Sequence, residues 1–194
     1  MRWVRVQNRR TKQGYNQIRL RKVQNHSLKI KSKTVEPFAA LRITDLLACD
    51  IPAVVEIEHS SNLEPWTGES FLEELLRPHS CLQVARVRVG AGEIVAGFIC
   101  FWLVADEIQI LNVAVKEAFR RQGIGRALML HCLDSGLERK ARKAVLEVRS
   151  SNLAAQHLYR SLGFQAVGLR PDYYGGLKEA AVLMELSMQK RGTI

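Results

Sequence analysis

The stretch whose reading decides the fold is Ile108-Gln109-Ile110-Leu111-Asn112-Val113-Ala114-Val115, followed after four residues by Arg120-Arg121-Gln122-Gly123-Ile124-Gly125-Arg126. The first part, dense in Ile, Leu and Val, reads as a strand. From Ile124 to Leu137 the pattern turns helical, with Ile124, Leu128, Cys132 and then Leu137 keeping to one side. A strand entering a helix through two glycines is a candidate anion site, because the first helical N–H groups lack partners and a phosphate or pyrophosphate satisfies them. A Cβ at Gly123 or Gly125 would hold the anion away, whereas Arg120, Arg121 and Arg126 bring charge suited to phosphate. A glycine-bearing turn with no ligand fits these residues equally. No Gly-Lys-Ser/Thr follows, which excludes a Walker loop, and the missing third glycine excludes a dinucleotide fingerprint.

Downstream lies a second constellation: Leu146-Glu147-Val148-Arg149-Ser150-Ser151-Asn152, then Ala155, Leu158-Tyr159 and Leu162-Gly163-Phe164. Glu147 interrupts a short apolar strand, Ala144 to Val148, where a buried carboxylate is costly unless paired. Arg149, two residues on and on the same strand face, is one candidate partner. Asn152 is a natural cap for a helix reaching Leu162, and Tyr159, close to two turns on, shares its side. A capping Asn and a core Tyr would also satisfy this pattern.

Working outward, Leu41-Arg42-Ile43 reads as a strand, and Asp45 or Asp50 as a cap for a helix with Pro52 in its first turn. Thr67 caps a second helix that Pro78 ends. Strands follow over Leu82–Val89, Ile94–Leu103 and Ile108–Val115, and again over Phe164–Leu169 and Ala180–Leu186. The order β-α-α-β-β-β-α-β-α-β-β implies a mixed α/β domain. The crossover through Ile124–Leu137 implies one parallel pair, and the hairpins imply antiparallel pairs elsewhere.

Taken together, these residues resemble the GNAT superfamily of N-acetyltransferases. The string from Glu147 to Phe164, with Pro65-Trp66-Thr67 and Asp172-Tyr173-Tyr174 at the flanks, most resembles its ribosomal-protein-alanine N-acetyltransferase branch. The likeness runs from about Leu41 to Met188. It implies a single GNAT-like domain over residues 39–190, with a mostly antiparallel mixed sheet flanked by helices. It further implies acetyl-CoA as co-substrate, its pyrophosphate on Arg121, Gln122, Gly123, Ile124, Gly125 and Arg126, and its pantetheine arm along Val113, Ala114 and Val115. By the same resemblance Asn152 contacts the cofactor, Glu147 is the general base and Tyr159 the general acid. Trp66, Tyr173 and Tyr174 are candidates for the peptide groove, or else aromatics packing loop on loop. The segment Gly175–Ala181 is shorter than the branch's usual loop, which leaves peptide specificity less marked than the cofactor site. The acceptor implied is a protein N-terminus, above all the N-terminal alanine of a small-subunit ribosomal protein. A lysine side chain or small amine, and a non-catalytic acetyl-CoA- or ribosome-binding module, are the rival readings.

Composition sets the limits. The 194 residues suit one domain, and the longest nearly unbroken apolar run, Ile94 to Ala105, falls short of the ~20 residues of a spanning helix. The four cysteines, Cys49, Cys81, Cys100 and Cys132, are scattered through apolar stretches, so reduced core thiols and a cytoplasmic setting are expected. Neither they nor the histidines have metal-ligand spacing, and no metal is expected. The net charge of +10 is unevenly placed: of 29 Lys/Arg, 11 fall in residues 1–34 with no acid, leaving 18 against all 19 Asp/Glu elsewhere. Residues 1–38 therefore read as a basic, disordered extension. It is readable as an electrostatic tether to RNA or the ribosome, a transit peptide (hence a plastid), or a start placed too early, with Val35 the initiator.

Overall fold

Among the described residues, seven strands form from the apolar runs: β1 (Leu41–Asp45), β2 (Ser80–Val89), β3 (Gly92–Val104), β4 (Glu107–Val115), β5 (Lys143–Arg149), β6 (Gln165–Tyr174) and β7 (Glu179–Ser187). Four α-helices accompany them in the described part: α1 (Ile51–Ser61), α2 (Gly68–Leu75), α3 (Ile124–Glu138) and α4 (Leu153–Ser161). This computed structural model describes residues 41–174 and 179–188, apart from the side chains of 172–174. The expected basic extension and the side chains of Tyr173 and Tyr174 thus lie outside the described residues.

The strands make one sheet in the order β1-β2-β3-β4-β5-β7-β6, antiparallel throughout except for β4 and β5. α3 supplies the crossover that a parallel pair requires. The mixed, mostly antiparallel sheet expected from the sequence is what forms. α1 and α2 cover one face around Val54, Ile57, Phe71 and Phe98. α3 and α4 cover the other around Leu128, Cys132, Ile108 and Phe164. With both faces covered, β3 is buried at every position from Val95 to Phe101, so its sequence is a continuous apolar run instead of an alternation.

Several local expectations are refined. Thr67 caps α2 as expected, accepting the Ser70 N–H at 3.3 Å. Asp50 occupies the position before α1 but makes no side-chain cap bond. Its Oδ2 instead accepts the Leu47 N–H at 2.9 Å and Arg86 Nη2 at 2.6 Å, because a buried carboxylate gains more from a guanidinium than from an exposed cap. On α3, Leu137 is 46% exposed, and Gly136 takes the place facing the sheet. There α3 presses so closely that a Cβ would come 2.1 Å from Ile108 Cδ1. Cys100 and Cys132 are buried and Cys81 is half-buried, but Cys49 is exposed and not part of the core. No helix among the described residues is long and apolar enough to cross a membrane.

Candidate active site

The site is made by a defect in β4. Its register with β3 runs Ile110↔Phe101 and then Asn112↔Cys100, leaving Leu111 as an extra residue, a bulge. A bulge bends its strand and shifts the alternation of side chains. Before it, Ile108 and Ile110 face α3; after it, Val113 and Val115 pack on that side, while Leu111 and Ala114 join the cluster under α1 and α2. The pairing with β5 stops at the same point, its last rung being Ile110↔Leu146. Beyond it the two strands part, and among the described residues one edge of β4 from Leu111 to Val115 is left without a strand neighbour.

Which backbone groups face that gap follows from pairing geometry. The Lys116 N–H donates to Ala96 O at 2.8 Å, so Lys116, Ala114 and Asn112 direct their backbone groups to β3, and Val113 and Val115 direct theirs away. The Val115 carbonyl is taken by Arg120 Nε at 3.1 Å. Val113 N–H and C=O and Val115 N–H therefore line the gap as a strip of donors and acceptor. Ala114, singled out with them in the sequence, contributes its methyl to the opposite core.

At the end of this edge the loop enters α3. Gly123 holds φ +84°, a left-handed conformation that glycine adopts without strain. Gly125 needs a different explanation. A Cβ there would make only ordinary contacts, 3.5 Å to Leu158 Cδ2 and 3.7 Å to Val115 Cγ2, so packing does not demand glycine. Glycine in a helix costs about 0.5–1 kcal/mol relative to alanine, and the absence of a side chain at Gly125, which is partly exposed, suits close approach of a ligand to the N–H groups of the first turn. Ile124 is buried and anchors that turn. The three arginines divide their work. Arg120 Nη2 reaches Ser61 Oγ at 3.1 Å, tying the loop to α1, and Arg126 Nη1 reaches Ser161 Oγ at 3.0 Å on α4. Arg121 is exposed at φ +62°, and Gln122 Nε2 donates back to Ala118 O at 3.1 Å.

Glu147 follows immediately on the last β4–β5 rung. Leu146 and Val148 point into the core beneath α3 and α4, so Glu147 points to the opposite face of the sheet. Its partner is not Arg149 but Arg170 of β6, whose Nη1 lies 2.6 Å from Oε1. The pair reaches across one intervening strand, since β7 lies between β5 and β6. Tyr159 comes from α4 on the other face, 7% exposed, its ring tilted against Phe164 with centroids 6.1 Å apart. Asn152 caps α4, accepting the Ala155 N–H at 3.1 Å. The preceding turn is held by Glu179, which accepts the Ser151 N–H at 2.8 Å and the Ser150 hydroxyl at 3.3 Å. Hydrogen bonds from Ser151 keep that carboxyl below the usual carboxylate range.

Glu58 is a further polar residue of this region that no motif in the sequence singles out. It is 1% exposed on α1, and every bond to it comes from a donor: Asn62 Nδ2 at 2.6 Å, Trp66 N–H at 3.1 Å and Asn112 Nδ2 at 3.0 Å. Its position four residues after Val54 puts it on the buried stripe of α1, a signal that could have found it. Trp66 itself packs on Phe71, centroids 5.4 Å apart. No group of three potential metal ligands occurs among the described residues.

A splayed parallel pair, an open strand edge leading to a helix N-terminus, a carboxylate on one face of the sheet and a core tyrosine on the other are the candidate parts of an acyl-transferring site. Residues 43–164 match the acetyltransferase (GNAT) family, and the chain belongs to that family. A protein of Bacillus subtilis (strain 168) is 38% identical over 141 residues, 73% of this chain and 91% of that one. The ribosomal protein bS18-alanine N-acetyltransferase of Escherichia coli (strain K12) is 35% identical over 146 residues, 74% and 95% of the two chains. Among solved structures, the ribosomal-protein-S18-alanine N-acetyltransferase from Escherichia coli superposes with a TM-score of 0.68 at 33% identity, covering 80% of this chain and 99% of that one. Ard1 from Thermoplasma volcanium gives 0.70 at 32% identity, covering 78% and 100%.

Proposed function

We propose that this acetyltransferase moves an acetyl group from acetyl-CoA to the α-amine of a protein N-terminus, with the N-terminal alanine of a small-subunit ribosomal protein as the acceptor. The carrying observation is the parting of β4 from β5 after Ile110 and Leu146, with Glu147 on one face of the sheet and Tyr159 in the core on the other. The names of the Escherichia coli relatives supply the acceptor class. The peptide groove is assigned to Trp66 and to Tyr173 and Tyr174, and the enzyme works in the cytoplasm, where such an acceptor is made.

The chain's own groups suffice for direct transfer. Backbone amides of Gln122 to Arg126 and the charge of Arg121 hold the pyrophosphate of acetyl-CoA, and Asn152, the cap of α4, contacts another part of the cofactor. Val113 and Val115 bind the pantetheine arm as an added strand would bind, through the backbone groups that face the gap. A peptide α-amine has a pKa of about 8, so a minority is neutral at physiological pH, and Glu147 takes the ammonium proton directly or through water. The amine nitrogen forms its bond to the thioester carbon. The Val113 N–H, fixed before the reaction, meets the negative charge that develops on the carbonyl oxygen. The carbon–sulfur bond then breaks as Tyr159 gives its proton to the departing sulfur, and the second proton lost by the acylated nitrogen passes through water to restore the Tyr159 phenol. Opposite faces for base and acid suit amine entry from one side and thiol exit on the other.

Initial rates with peptides beginning Ala, compared with lysine side-chain peptides and spermidine-like amines, test the acceptor. The reading predicts turnover concentrated on the N-terminal peptides and lost in Glu147→Gln. Preference for the amines would overturn it.

A further inference from the structure

The acetyl-bearing edge and the acceptor loop belong to different elements, β4 and the α1–α2 connection, yet transfer requires their separation to be fixed. One carboxylate oxygen fixes it. Glu58 Oε1 accepts both the Trp66 N–H, at 3.1 Å, and Asn112 Nδ2, at 3.0 Å. Trp66 belongs to the α1–α2 connection, and Asn112 follows directly on the bulge where β4 leaves β5. Oε2 accepts Asn62 Nδ2 at 2.6 Å, at the end of α1, and Asn62 Nδ2 also lies 3.4 Å from Asn112 Oδ1. Glu58 is 1% exposed and both its oxygens are engaged, so it has no access to a substrate proton. A buried carboxylate held by neutral donors alone is a costly arrangement for which simple packing gives no reason, because an apolar side chain would fill the same space. The cluster lies on the α1 and α2 side of the sheet, the face toward which Glu147 also points.

We propose that Glu58 and Asn112 are positioning residues for the peptide acceptor: together they hold the Trp66 loop at a set distance from the open edge of β4, so that the incoming amine meets the thioester carbon. This rests on the reading of a peptide N-terminus as acceptor. It requires effects on the acceptor that are not shared by acetyl-CoA, whose binding elements lie at the α3 end of β4.

The test uses the full chain, with steady-state kinetics on an Ala-initiated peptide and, separately, on acetyl-CoA. Glu58→Met keeps volume but accepts no hydrogen bond, Asn112→Ala removes the β4 end of the link, and Glu58→Gln retains an amide oxygen for Trp66 and Asn112. Expected are a rise in peptide KM of about tenfold or more in Glu58→Met and Asn112→Ala, acetyl-CoA KM within about twofold of the parent, and near-parental values in Glu58→Gln. Should Glu58→Met fail to fold, Asn112→Ala decides, with melting in the presence of CoA as the folding check. Unchanged peptide KM in a folded Asn112→Ala, a parallel rise in both KM values, or a loss in Glu58→Gln equal to that in Glu58→Met would each overturn the proposal. Absence of peptide acetylation by the parent enzyme would instead remove the acceptor reading on which it stands, a result visible before any variant is made.

Discussion

Glu147 and Tyr159 are separated by twelve positions in sequence and by the sheet in space. Both were marked by residue type and neighbourhood, Glu147 as a carboxylate inside an apolar strand and Tyr159 as a tyrosine two turns into a capped helix. Their environments were not legible. Glu147 pairs with Arg170 at 2.6 Å, across β7, and no local spacing announces a partner two strands away. If Tyr159 supplies the proton to the leaving sulfur, Tyr159→Phe lowers kcat by roughly 10²-fold or more, while acetyl-CoA affinity measured by calorimetry stays near parental. An unchanged kcat would remove Tyr159 from the chemistry. The cysteines give a second residue-scale expectation. Burial pushes the Cys100 and Cys132 thiols well above their ordinary range and raises Cys81 less completely. Raised thiols hold less thiolate at a given pH, so near pH ~8 the exposed Cys49 reacts first with a thiol reagent, and Cys100 and Cys132 react only on unfolding. Mass mapping of the labelled sites checks the order.

Among the elements, β4 and α3 do most to place the site. Strand and helix were both readable from periodicity, because 108–115 is dense in β-branched and aliphatic residues and α3 repeats its apolar positions. The bulge at Leu111 was not readable: it is a mismatch in register with β3, and register is a property of two strands. It moves the core-facing side chains from Ile108 and Ile110 to Val113 and Val115, and releases Asn112 toward Glu58. Gly125→Glu places bulk and negative charge over the first turn of α3, so calorimetry should show CoA binding weakened severely; unchanged affinity would refute the pyrophosphate assignment. Gly136 serves a different end. An added methyl meets Ile108 Cδ1 and Cγ1 at 2.1 and 2.6 Å, so Gly136→Ala destabilises by about 1–3 kcal/mol in denaturant unfolding, and Ile108→Val in the same chain recovers part of it. Full stability in Gly136→Ala would show that α3 has room to move off the sheet.

For the molecule as a whole, charge and catalysis are separable in the sequence: residues 1–34 carry 11 Lys/Arg and no acid, and the family match begins at residue 43. Removing residues 1–34 is therefore expected to leave turnover on a short peptide intact. If the basic segment tethers the enzyme, ribosome co-sedimentation falls and loses salt dependence; equal co-sedimentation with and without it would exclude that role. The order of strands and helices, the mixed sheet and the glycine loop were all determined by the sequence itself, because each depends on periodicity or on residues within one turn of chain. The tertiary structure decided what depends on contacts between distant segments. It chose Arg170 over Arg149 for Glu147, brought Glu58, Trp66 and Asn112 together from three segments, and spent Arg120 and Arg126 on Ser61 and Ser161. The run from Arg120 to Arg126 is a candidate anion site in sequence; only the divergence of β4 from β5, set by pairing partners far along the chain, makes the open edge that runs toward it.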